Sequence, residues 1–242
     1  MDKEKIRIHE EGQQLVVKSN TLIRQTRYDL SVIQQKIIIY LISKIVAEDN
    51  ELNEVVMSVK DFCLLTGIEP KGNNYKQIKD SIRALKKKDW WIDIDENTEM
   101  LYSWLDYAII AKNSGTIKIA LSQSLKPFLI QLRTQFTKYR LIEILHLNSR
   151  HSIRLFELLQ SYLYKGEYIT SINDLKILLG IETKYKDWRD LRKAVIDPSI
   201  KEINDNTYLH IEYEPIKNGK RIEEIRFSVN EAVGFQISLF DE

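Results

Sequence analysis

One stretch of this sequence occurs in two versions, and that repetition constrains the fold more than any other feature. The first version starts at Val55 and reads VVMSVKDFCLLTGIEPKGNNYKQIKDSIRALKKKDW. The second starts at Tyr168 and reads YITSINDLKILLGIETKYKDWRDLRKAVIDPSIKEINDN. In each, a serine stands three residues before an aspartate (Ser58 and Asp61, Ser171 and Asp174). That spacing marks a helix start, where hydroxyl and carboxylate satisfy free backbone N–H groups. An apolar run follows (Phe62, Leu64, Leu65; Leu175, Ile177, Leu178), then a glycine, Gly67 or Gly180. Such a glycine ends a helix in the left-handed conformation. A second helix is predicted next, with its core side at Tyr75, Ile78, Ile82 and Leu85 in one copy and at Tyr185, Trp188, Leu191 and Val195 in the other. Two short helices joined by a glycine-containing turn, the second of them basic, make a helix-turn-helix.

Opposite its apolar stripe the first copy places Lys76, Lys79, Asp80, Arg83 and Lys87. The second copy places Lys186, Arg189, Asp190 and Lys193, with Arg192 flanking and Lys184 just before. Lys and Arg reach phosphates, and Arg can pair bidentately with guanine in the major groove. A single Lys-rich helix is more often just a solvated charged face. Duplication of the whole unit, with cations at matching places, favours duplex DNA as the partner.

At 242 residues the chain has room for two small domains, and its 43% hydrophobic content is enough for real cores. The formal net charge is only +1, which excludes a uniformly basic coat for nucleic acid. Positive charge is local, and AEDNELNE and DIDENTE are acidic stretches. Such segregation suits site-specific binding. With Cys63 as the one cysteine, neither an internal disulfide nor a Cys-based zinc site is expected, and the residue reads as core. MDKEKIRIHEEG lacks the apolar segment of a signal peptide, and no run is long enough to cross a bilayer, so a cytoplasmic protein is expected.

In chain order, residues 1–15 read as a poorly ordered segment or a short arm. An extended segment and a long helix capped by Ser31 follow, the helix buried along Ile33, Ile37, Tyr40, Leu41 and Ile45. After the first helix-turn-helix, WWIDI, MLYSWLDYAIIA and GTIKIAL read as a strand meander. The acidic turn of its first hairpin argues against a DNA contact there. Residues 122–147 read as a helix bridging the halves. The boundary is expected near Gln135–Tyr139, giving an N-terminal domain at 16–136 and a C-terminal domain at 137–230. Pro198 should kink or break the last long helix after Asp197, because it lacks an N–H and crowds the preceding turn. YLHIEYEPI and RIEEIRFSV flank Asn218-Gly219, a strong hairpin signal, and Lys217, Lys220 and Arg221 make that second wing basic. The fold class expected is therefore α+β and helix-rich, with two tandem winged helices and the fuller DNA grip in the second.

With these residues in place, the chain resembles the initiator replication proteins of iteron-carrying bacterial plasmids, which carry two tandem winged helices. The resemblance rests on VVKSNTLIRQTRYDLS, FTKYRLIEILHLNSRHSIRLFELL, WRDLRKAVIDPSIKEIND and YEPIKNGKRIEEIRFSV, and covers roughly residues 16–229. It implies binding to directly repeated origin sequences, opening of adjacent AT-rich DNA, and recruitment of the host replication initiator and helicase. It also implies a homodimer in equilibrium with an initiating monomer, the dimer being joined through the N-terminal domain and repressing the protein's own promoter or blocking initiation. Carried over by position, Lys186, Arg189, Arg192 and Lys193 fall on the second recognition helix, Arg150 and Arg154 on the helix before it. The strands around Met100–Leu121 are the candidate dimer face.

An enzymatic initiator would need a His-x-His metal pair and a nucleophilic tyrosine. No two of His9, His146, His151 and His210 are so spaced, and no HExxH, Walker or Gly-rich phosphate loop occurs. No catalytic residue, metal or cofactor is expected. The last residues, 231–242, offer Gln236, Leu239 and Phe240, which resemble the short peptide with which bacterial polymerases dock on the sliding clamp. A tail folded back on the protein is the alternative. For the whole chain the alternative is a winged-helix transcriptional regulator that never opens DNA.

Overall fold

Hydrophobic patterning places most of the elements, and the computed structural model describes residues 3–46, 49–69, 72–110, 114–232 and 234, with the side chains at 93 and 94 left aside. The chain opens with α1 (Lys3–Gly12), β1 (Leu15–Ser19), α2 (Asn20–Arg24) and α3 (Val32–Ile42). The arm expected at the N-terminus is instead a helix. Ile8 is fully buried, Arg7 meets the Asp61 carboxylate at 2.7 Å, and Glu11 accepts from Tyr40 at 2.8 Å. α3 starts at Ser31, whose hydroxyl and Gln34 cap one another reciprocally. It is buried from Gln34 to Ile42, on every side, as the central helix of the first half.

The first repeated unit is β2 (Val55–Ser58), α4 (Val59–Thr66) and α5 (Gly72–Leu85). Ser58 Oγ accepts the Asp61 N–H at 3.2 Å, and Gly67 closes α4 at φ 70°. Ile78, Ile82 and Leu85 of α5 are buried, as their spacing predicts, while Tyr75 is half-buried. The meander follows as β3 (Asp89–Asp95), β4 (Thr98–Ser103), β5 (Leu105–Ile110) and β6 (Thr116–Leu121). It divides into two sheets: β3 and β4 form a free-standing antiparallel wing, whereas β6 lies between β2 and β5. Trp90, Trp104 and Tyr28 root the wing, with ring centroids 4.2 Å (Trp90–Trp104) and 5.0 Å (Tyr28–Trp104) apart.

Residues 122–147 do not form the bridging helix expected. They form a short 3-10 turn, α6 (Lys126–Leu129), β7 (Phe136–Arg140) and α7 (Leu141–Leu145). Gln131 and Gln135 both take φ 54°, which ends helical propagation. Thr137 and Tyr139 then alternate with exposed Phe136, Lys138 and Arg140, the period of a strand. β7 pairs antiparallel with β1, so the boundary expected there falls on a strand belonging to the first half.

α8 (Arg150–Gln160) leads into β8 (Glu167–Ser171), α9 (Ile172–Leu178), α10 (Trp188–Leu191), α11 (Asp197–Asn206), β9 (Leu209–Asn218) and β10 (Arg221–Glu231). Ser171 Oγ accepts the Asp174 N–H at 3.0 Å, and Gly180 takes φ 64°, repeating the first unit's caps. β10 lies between β8 and β9. Residues 192–196 form a π turn joining α10 to α11 into one helix, in which the Asp197 N–H reaches Arg192 O. Pro198 therefore does not break the helix. It sits in the first turn of α11, and the wider π turn before it takes up the carbonyl that an α-helix would drive into the proline ring.

Candidate nucleic-acid interface

The outer side of α5 carries exposed Lys76 and Arg83, half-buried Lys79, and exposed Lys87 just beyond the helix end. Arg83 pairs with Asp80 at 3.2 Å, which holds its guanidinium along the helix while leaving N–H groups free. In the second unit Arg189, Arg192 and Lys193 are exposed on the side of the helix away from buried Leu191, Val195 and Ile196. Asp187 caps this helix by accepting the Asp190 N–H at 3.0 Å. Lys184 and Lys186 are exposed too, but they lie in the loop before the cap, where Tyr185 takes φ 53°. The helical spacing expected of Lys186 does not apply to it.

Lys217, Lys220 and Arg221 surround the turn between β9 and β10 and are all exposed. The hairpin closes on Gly219-Lys220, with Gly219 at φ 62°, one residue later than the Asn218-Gly219 pair expected. The tip of the first wing is the opposite in charge. Asp95, Glu96 and Glu99 are exposed there, and the Asn97 N–H at 2.9 Å holds the Asp95 carboxyl below its ordinary range.

Two of the arginines expected at the DNA turn inward. Arg154 is only 4% exposed: it donates to Ile23 O at 3.2 Å, Thr26 O at 3.0 Å and Tyr28 Oη at 2.7 Å, and stacks on the Tyr28 ring. It is a structural clamp on the segment between α2 and α3, because a buried guanidinium needs several acceptors to offset lost hydration. Arg150 is half-buried and paired with Asp29. Arg27 is exposed beside Arg24 and Trp91 in a cleft of about 730 Å³ between the first wing and α9, which Glu99 and Asp174 also line, and no linear spacing in the sequence points to it.

Cys63 is buried, and burial pushes its thiol up. His151 is half-buried, and desolvation beside Arg150 and Lys184 pulls it down to about 4. Among the described residues no group of three or more His, Cys, Asp or Glu is placed to hold a metal ion, and no helix is long and apolar enough to cross a membrane. The residues Gln236, Leu239 and Phe240 lie outside the described residues.

Two family matches, separated by residues 161–170, account for this geometry. Residues 15–160 match the family described as "Initiator Replication protein, WH1", and residues 171–229 match "Initiator Rep protein, WH2". The chain belongs to the initiator replication proteins. It folds as their two tandem winged-helix domains. The first match runs through α8 to residue 160, in keeping with the ties that hold α8 to the first half. An Escherichia coli "Replication initiation protein" is 26% identical over 134 residues, covering 53% of this chain and 41% of that protein. An "Uncharacterized 27.6 kDa protein" from Escherichia coli is 31% identical over 120 residues, covering 48% of this chain and 49% of the relative. The chain thus matches less than half the length of either relative. The solved structure of Pi initiator protein in complex with iteron DNA shares the fold at TM-score 0.75 and 17% identity, over 90% of this chain and 97% of that one.

Proposed function

We propose that this initiator protein acts on a plasmid in the cytoplasm, binding directly repeated sequences at the origin through two modules, residues 15–160 and 171–229. The observation that carries the reading is the pair of helix-turn-helix units on one chain, each with exposed cations on its second helix. Lys76, Lys79, Arg83 and Lys87 serve the first module. Lys184, Lys186, Arg189, Arg192, Lys193, Lys217, Lys220 and Arg221 serve the second, whose cationic wing gives it the fuller grip. Arg154, buried in a carbonyl cage, takes no part, and Arg150 contributes at most through its exposed edge. The structural relative's complex with iteron DNA supports the choice of ligand.

Binding then opens adjacent AT-rich DNA and recruits the host initiator and helicase. A dimer joined through the N-terminal domain represses the chain's own promoter. Support for that face comes from β5, an edge strand carrying Tyr107 and Ile109 at 44% and 53% exposure, a combination that invites strand pairing with another copy. Gln236, Leu239 and Phe240 dock on the sliding clamp, two apolar side chains filling a pocket with the amide at its rim. Removing residues 236–242 abolishes binding to purified clamp if so; unchanged affinity rejects the idea. The chain performs no catalysis, so supercoiled origin DNA with Mg²⁺ or Mn²⁺ yields no phosphotyrosyl adduct.

Protection footprinting on the replicon that encodes the chain tests the whole reading: regularly spaced direct repeats are expected to be protected. Permanganate reactivity of thymines in the AT-rich flank is expected on binding. Protection without reactive thymines would leave a duplex-binding transcriptional regulator.

A further inference from the structure

Resting on the reading above, we infer that Glu202 is a positioning residue that fixes the offset between the two DNA-binding modules. It thereby sets the spacing the chain accepts between the two duplex segments it contacts. The helix formed by α10, the π turn and α11 has two ends with different jobs. Its first half exposes Arg189, Arg192 and Lys193, while its second half buries Ile200 and Ile203. A π turn adds one residue to a turn, which rotates the following face by about 100° relative to an unbroken α-helix. The same helix can therefore show cations to DNA and pack its far end on the first module.

α8 is the surface that the far end meets, and it is fastened to the first module throughout. Lys18 of β1 and Glu157 of α8 form a buried ion pair, and Gln35 of α3 donates to Arg150 O at 3.2 Å. Glu202, projecting from α11, reaches the N-terminal end of α8 with both carboxylate oxygens. Oε1 accepts the Asn148 N–H at 2.6 Å and Oε2 the Ser149 N–H at 3.3 Å. A carboxylate at a helix N-terminus meets unsatisfied amides and the positive end of the helix dipole. Two bonds from one planar group fix rotation as well as distance. Glu202 also acts on Lys36 of α3, opposing the burial that pulls that ammonium down to about 8, while Lys36 Nζ donates to Leu145 O at 2.7 Å. A second carboxylate runs the other way: Glu143 of α7 accepts the Tyr208 N–H of the second module at 3.4 Å. Each module thus holds an amide of the other.

Inserting one base pair between two contacted segments moves the second by about 3.4 Å and turns it by about 34°. A clasped protein then loses one set of contacts, whereas a loosened one follows the DNA. The test uses the full chain and duplexes carrying its two footprinted segments at the natural separation, or with one or two base pairs added or removed. Unmodified protein is expected to prefer the natural separation by roughly tenfold or more, the loss of a few contacts. Glu202→Ala should shrink that preference to within about threefold while weakening the best complex, a change in discrimination that a merely destabilised fold would not produce. Glu202→Gln keeps the shape and one acceptor and should fall between; it carries the test alone if Glu202→Ala does not fold. Unaltered spacing preference in the folded variants, or an unmodified chain indifferent to spacing, overturns the inference. Absence of any protected segment would instead overturn the initiator reading itself.

Discussion

Arg154 and Arg189 carry the same side chain and have opposite tasks, because of what surrounds each. Arg154 is enclosed by the carbonyls of Ile23 and Thr26 and by Tyr28, so Arg154→Leu leaves buried acceptors without a donor. Such a change costs on the order of 2–4 kcal/mol of stability, read as a lower midpoint in denaturant. Arg189 faces solvent, so Arg189→Ala should leave the midpoint in place. It should cost on the order of 1–3 kcal/mol in binding and relax specificity at one base position. Lys220, on the second wing, should behave differently again: Lys220→Ala weakens all sequences alike and lowers the salt slope by about one. His151 gives a pH signature. Its folded value is pulled down to about 4 from an ordinary 6.5, so between those limits the unfolded chain binds more protons than the folded one. Its contribution is complete above about pH 6.5 and is lost as pH falls towards 4. His151→Asn should flatten that acid limb in a series of urea melts.

At the scale of elements, what could be read from sequence was whatever local chemistry decides. Ser58 and Ser171 cap their helices as their spacing to Asp61 and Asp174 requires, and Ser58→Ala or Ser171→Ala should each cost about 1 kcal/mol of stability. Only the serine half of each box forms, however. Asp61 turns to Arg7 and Asp174 accepts from its own serine's hydroxyl, partners that lie in the folded structure or too close to matter for spacing. The first recognition helix was legible because Ile78, Ile82 and Leu85 repeat at helical intervals on a polar background. Residues 122–147 were not. The two left-handed positions that end helix there are glutamines, residues that give no warning of a positive φ, and the five residues of β7 are too few for alternation to outweigh apolar neighbours. α1 is not legible in the sequence because its residues are mostly polar, and its docking depends on Ile8 and on partners distant in sequence. The candidate site divides in the same way: helical spacing predicts which cations on α5 and α10 are exposed, whereas a family motif places Arg154 at the surface and the structure buries it.

Across the whole molecule, a net charge of +1 is compatible with DNA binding only because the charges are sorted in space. The two wings show the sorting most clearly, with Lys217, Lys220 and Arg221 on the second and Asp95, Glu96 and Glu99 on the first. Phosphates repel an acidic hairpin, so on the proposed reading the first module meets duplex through α5 and Lys87 rather than through its wing, and its contribution depends more on the fit of that helix in a groove. An acidic tip penalises any pose that brings the wing to the backbone, which disfavours sliding and misaligned binding. Reversing it by Glu96→Lys with Glu99→Lys removes that penalty and supplies two new phosphate contacts. The double variant should bind unrelated duplex more tightly, and its log affinity should fall with log salt more steeply by up to about 1.8, two contacts at about 0.9 each. Affinity for the natural repeat should rise less than affinity for unrelated duplex, so the ratio between them should drop. Titrations of both duplexes at several salt concentrations decide the matter. Equal slopes for variant and unmodified chain would mean that the first wing stays clear of DNA whatever its charge, and that selectivity rests on the recognition helices alone.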